Sequence, residues 1–208
     1  MRSPFNILWT VALGLVLLLA SVSSAQANVS VTMSAGLNAC VADDDPADCS
    51  RIDNSGMGGL GVFYQVLPKL ELGLDLRFGA LSPHEDPSSV EQSITTFHMT
   101  PTAVWREPIA DRYAVEGRLG FGYSSSTLAY KSVTGTEAAN TWVSWATAVL
   151  GVAGSMEVLD QLEAGLGLDV YLQDGGTMCT KTTGTACTDH EDPMNELFNA
   201  YIFARYRL

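Results

Sequence analysis

Eleven ionisable side chains stand in segments that otherwise suit an apolar environment: Glu71, Asp75, Arg77, His98, Glu116, Arg118, Glu157, Glu163, Asp169, Arg205 and Arg207. Each is adjacent in sequence to a large apolar residue, as in Leu70-Glu71-Leu72 or Leu168-Asp169-Val170. Acids and bases enclosed together favour pairing, and a charge left alone in a dry interior costs about 3–5 kcal/mol. The pattern points to an internal network of ion pairs. The alternative for the same groups is a narrow pore or a proton path. Nucleophilic catalysis needs a nucleophile beside its base. His98 has no Ser or acid at a compelling spacing, so no enzyme is expected.

A second set of candidate groups lies in polar stretches. His84-Glu85-Asp86-Pro87 recurs as His190-Glu191-Asp192-Pro193, and Asp43-Asp44-Asp45-Pro46 is a third acidic run before a proline. Carboxylate oxygens are what Ca²⁺ accepts, usually about six to eight of them, and the two His-containing sets could serve a transition metal. The preferred reading is acidic, solvated turns with no resident metal and no cofactor. The four cysteines fall into two close pairs, Cys40 with Cys49 and Cys179 with Cys187. In an exported chain an even count reads as disulfides, either as two local staples or as bridges tying one stretch to the other. The spacings are not those of a zinc site.

The elements that must position these groups are strands. Apolar and polar residues alternate over eight segments, which is a strand signal. In the third, Leu70, Leu72, Leu74, Leu76, Phe78 and Ala80 oppose Glu71, Gly73, Asp75, Arg77 and Gly79. In the seventh, Leu162, Ala164, Leu166, Leu168, Val170 and Leu172 oppose Glu163, Gly165, Gly167, Asp169, Tyr171 and Gln173. The others run near Val29–Leu37, Gly58–Val66, Ser93–Trp105, Tyr113–Tyr123, Thr141–Val158 and Phe198–Leu208. The connections alternate in length. Long ones span about Ala39–Met57, Ser82–Gln92, Ser124–Asn140 and Asp174–Asn195. Short ones are Leu67-Pro68-Lys69, Glu107–Arg112 and Leu159-Asp160-Gln161. This rhythm predicts an all-β, eight-stranded antiparallel up-and-down barrel.

Volume decides which face points inward. An eight-stranded barrel has an interior just wide enough for side chains. Five or six large apolar residues from most strands cannot fit there. The opposite face, rich in Gly73, Gly79, Gly120, Gly122, Gly165 and Gly167, can. The apolar face therefore meets lipid, and closure removes the unpaired edges that hydrocarbon forbids. Trp105, Tyr113 and Tyr206 at one end of the strands, with Phe78, Phe97, Tyr123, Trp142 and Phe198 at the other, fit two interfacial girdles.

The beginning of the chain reads as an export signal. Arg2 precedes an apolar run from Ile7 to Ala20, and Ala25-Gln26-Ala27 fits a signal-peptidase site. Residues 1–27 are the expected signal peptide and residues 28–208 the barrel. That portion keeps ten Lys and Arg against 23 Asp and Glu, a net charge of −13. An acidic balance argues against a nucleic-acid partner, because phosphate binding needs a basic surface.

Taken together, these segments and the closing alternation Ile202, Ala204, Tyr206, Leu208 resemble the small eight-stranded outer-membrane β-barrel proteins, the class of the transmembrane domain of outer membrane protein A. The final Leu208 departs from the aromatic residue usual in that class. The resemblance implies a bacterial outer-membrane location, and partners in the membrane lipid and the barrel-assembly machinery. It also implies an interior blocked by Glu71, Asp75, Arg77, Glu116, Arg118, Glu163, Asp169, Arg205 and Arg207. A structural or surface-interaction role follows, with an extracellular partner met through the long loops. A narrow channel for ions or small hydrophobic molecules is the alternative, and a lipid A-modifying enzyme a more distant one.

Overall fold

The structure is a computed structural model that describes residues 28–41, 52–53, 55–83, 91–131, 137–181, 185–190 and 196–208. The segment read as a signal peptide, Cys49, His84, Glu85, Asp86, Glu191 and Asp192 lie outside these residues. Ten strands follow one another: β1 (Val29–Val41), β2 (Ile52–Asp53), β3 (Ser55–Leu67), β4 (Leu70–Pro83), β5 (Glu91–Ala110), β6 (Tyr113–Lys131), β7 (Glu137–Leu159), β8 (Leu162–Lys181), β9 (Thr185–His190) and β10 (Glu196–Arg207).

Eight of them form a closed antiparallel ring in the order β1-β3-β4-β5-β6-β7-β8-β10, with β10 pairing back onto β1. Closure satisfies every ladder within the ring. The period-two pattern sets the faces. Leu119, Phe121 and Leu166 are 60%, 68% and 67% exposed on the outside, whereas Arg77 and Asp169 inside are 1% and 0%. The apolar side chains are thus on the outer wall and the charged ones in the lumen.

The strands run on past the expected loop boundaries. A membrane crossing needs about 9–11 tilted residues, yet β5 has 20, β6 19, β7 23 and β8 20. The expected loop Ser124–Asn140 is largely a β6–β7 ladder, with Ser125 opposite Ser144 and Thr127 opposite Trp142. Within the expected loop Asp174–Asn195, β8 continues and β9 folds back on it. The short β2 pairs with the end of β4. These extensions mix Ser, Thr, Gly and Asp with scattered apolar residues such as Leu128 and Met178, so apolar periodicity stops before the hydrogen bonding does. Cys179 lies directly opposite Cys187 in the β8–β9 hairpin, and the two form a disulfide, which is the local staple.

Several lumen glycines are seats for aromatic rings. Phe63 lies opposite Gly73, Phe203 opposite Gly165 and Tyr201 opposite Gly167. A Cβ at any of these glycines would run into the ring of its partner. The glycines thus do more than thin a narrow interior.

Candidate functional site

The lumen is built as stacked layers. At the end with the short turns, Glu71 (β4), Glu116 (β6) and Glu163 (β8) meet Arg106 (β5) and Arg205 and Arg207 (β10). Arg205 grips Glu116 with both terminal nitrogens, at 2.6 and 2.8 Å, and passes 3.6 Å from Glu163. Arg207 reaches Glu163 at 2.8 Å, and Arg106 donates to Glu163 and lies 3.8 Å from Glu116. The Ser30 hydroxyl donates to Glu71 at 3.4 Å. Two-pronged Arg–carboxylate contact is the strongest geometry such a pair can take.

Further in, two arginines face two aspartates. Arg77 donates to Asp169 at 2.9 Å, to Asp75 at 3.0 Å and to the Asn199 side chain at 3.0 Å. Arg118 donates to Asp169 at 3.2 Å and to Asp75 and the Tyr201 hydroxyl. Asn199 in turn donates to Asn38 at 2.8 Å. An aromatic spacer separates the two charged layers. Arg77 stacks 4.3 Å above the Tyr201 ring, and Arg205 lies 5.4 Å from that of Phe203. Each guanidinium thereby meets a π face as well as its carboxylates.

The next layer holds His98. Its Nδ1 lies 2.6 Å from the Ser124 hydroxyl, which also accepts from Thr147 at 2.6 Å. A histidine beside a serine is the start of a nucleophile–base pair. Here Ser124 is 0% exposed, among the described residues Nε2 has no hydrogen-bond partner, and the ring packs 4.7 Å, centroid to centroid, from that of Tyr171. Met57, Val149, Tyr171 and Leu197 cluster as an apolar cap above it.

The structure thus gathers Asp75, Arg77, Arg118 and Asp169 into one set, and Glu71, Glu116, Glu163, Arg205 and Arg207 into another. Sequence reasoning overlooked Arg106, Ser124 and the Asn38–Asn199 pair. Arg106 was one residue beyond the assumed end of its strand; continuing the alternation past Trp105 would have placed it inside. Ser124 is the register partner of His98, 26 positions away, a relation set by the hairpin rather than by local spacing. His190 ends β9, opposite Gly176 of β8.

Residues 11–175 match the family model described as the outer membrane protein beta-barrel domain. The chain belongs to that family. It is a bacterial outer-membrane β-barrel, and its apolar wall is the lipid-facing surface. Solved structures carry the same fold. Neisserial surface protein A, from Neisseria, is 9% identical at a TM-score of 0.55, covering 87% of this chain and 97% of its own. A major outer membrane protein from Thermus thermophilus is 14% identical at 0.53, covering 86% and 99%. No curated protein matches this outer-membrane barrel.

Proposed function

We propose that this barrel is non-conducting and non-enzymatic: its plugged lumen serves rigidity, and its long-connection end, turned to the cell exterior, is an acidic interaction surface. The charge distribution carries this reading. In the lumen Asp75, Asp169, Glu116 and Glu163 are paired with Arg77, Arg118, Arg106, Arg205 and Arg207, so most of the interior charge is compensated. By contrast, residues 38–56, 80–94, 126–144 and 174–196, which take in most of the long connections, hold fourteen Asp and Glu against three Lys and Arg. Nearly all the net charge therefore falls in these four stretches of the sequence. A field of one sign steers partners of the opposite sign over distances set by ionic strength, so the fitting partner presents a basic surface.

Blockage supports the first half of the reading. A hydrated ion crossing the lumen must part Arg77 and Arg118 from both aspartates. It must then pass the aromatic spacer and the Glu116–Arg205 clamp. Stripping a buried charge of its partner costs several kcal/mol each time. Planar-bilayer recordings on refolded protein are expected to show no steady conductance. Large, long-lived channel steps would overturn the reading in favour of a transporter.

A further inference from the structure

The three short turns share one construction. Each is two residues long: Pro68-Lys69, Asp111-Arg112 and Asp160-Gln161. Each is preceded by a break in register that leaves one residue unpaired. Gln65 pairs Glu71 and Leu67 pairs Leu70, skipping Val66. Pro108 pairs Ala114 and Ala110 pairs Tyr113, skipping Ile109. Glu157 pairs Glu163 and Leu159 pairs Leu162, skipping Val158. The carbonyl of the second turn residue, in Lys69, Arg112 and Gln161 alike, accepts a backbone N–H from a neighbouring strand, at 2.8, 2.8 and 2.9 Å.

A bulge re-aims side chains, and here it suspends the in–out alternation. Val66 and Leu67 are both exposed, as are Ile109 and Ala110, and Val158 and Leu159. The same position in three separate turns is thus a β-branched aliphatic residue, unpaired and directed outward. A bulge facing water has no use for Val, Ile and Val. The lipid-facing wall continues into these residues without a break.

The aromatic girdle gives the level independently. Trp105 is the register partner of Leu70, the first residue after the first turn. Tyr113 is the first residue after the second. Tyr206 pairs Leu162, the first residue after the third, and donates its hydroxyl to Gln161 at 2.8 Å. Trp and Tyr settle where acyl chains give way to headgroups.

We propose that the three bulges form an apolar collar that seats this end of the barrel in the acyl-chain boundary of the bilayer. Val66, Ile109 and Val158 lie in lipid, and the two-residue turns alone reach the headgroups. The occupant is phospholipid, through continuity with the wall. This goes beyond the reading of lumen and loops and does not depend on it.

The test places tryptophan at position 66, 109 or 158, with Trp105, Trp142 and Trp145 changed to phenylalanine. Asp111→Trp in the same background marks the turn tip. Proteins are refolded into phosphatidylcholine vesicles brominated either near the carbonyls or at mid-chain, and only samples with folded electrophoretic mobility are read. All three bulge sites are expected to be quenched at least twofold more than the turn tip, and most strongly by the shallow bromines. Emission and quenching like those of the Asp111→Trp protein would overturn the proposal, as would strongest quenching from mid-chain. If a bulge variant does not fold, the chain retaining its own Trp105 alone reads the same level. Shallow quenching there supports the collar, and quenching strongest at mid-chain, or none, defeats it.

Discussion

Arg205→Met isolates the contact on which the charge layer at the short-turn end depends. Arg205 holds Glu116 through two hydrogen bonds, with side-chain exposures of 3% and 1%. Removing the guanidinium leaves Glu116 and Glu163 with Arg106 and Arg207 as their ion-pair partners among the described residues. Arg106 stands 3.8 Å from Glu116, too far to replace a bidentate clamp. An uncompensated buried carboxylate costs about 3–5 kcal/mol, or roughly two to four powers of ten in the folding equilibrium. Glu116→Gln should cost a similar amount, because it leaves a buried guanidinium in excess. The double variant restores the original charge balance, and its loss should fall short of the sum of the single losses by about 1–3 kcal/mol. Urea titration of the refolded barrel in phospholipid vesicles, followed by tryptophan emission and gel mobility, measures all three. Single variants that lose less than about 1 kcal/mol, or strictly additive losses, would refute the view that the lumen is stabilised as pairs.

Gly165→Ala should lose roughly 1–3 kcal/mol by overpacking, because its methyl group meets the Phe203 ring; a shorter side chain at position 203 should restore part of that loss in the same titration. Ser124→Ala leaves the Thr147 hydroxyl and His98 Nδ1 without their shared partner, and should cost about 1–3 kcal/mol; an unchanged urea midpoint would contradict this. Cys187→Ser should shift barrel stability by less than about 0.5 kcal/mol. The ladder between β8 and β10 ends at Leu172, whereas that between β8 and β9 begins at Gly176. Hydrogen exchange should then quicken in β9 and stay unchanged in β10.

The ring and its faces were legible because lipid enforces a strict contrast. The Leu70–Ala80 segment reads as a wall strand from its side chains alone. The outer extensions were not legible, since pairs such as Ser125–Ser144 carry no apolar contrast. The charged lumen residues could be named, but not their partners. Arg77 and Asp169 are 92 positions apart and meet only because the ring closes. One signal was available and unused: Val66-Leu67-Pro68-Lys69-Leu70-Glu71 and Val158-Leu159-Asp160-Gln161-Leu162-Glu163 share four of six residues. Such a repeat across two turns announces a common backbone device.

The strand that closes the ring also completes its interior. Asn199, Tyr201, Phe203, Arg205 and Arg207 all come from β10, and together they touch both charged layers and the spacer between them. Seven strands without β10 would bring Glu116 and Glu163 into the bilayer with Arg106 as the one ion-pair partner left to them among the described residues, and two sheet edges would lie open to hydrocarbon. β10 comes after the other seven ring strands in chain order. A ring lacking β10 is therefore penalised twice over by the lipid, through carboxylates without their arginines and through sheet edges without a partner.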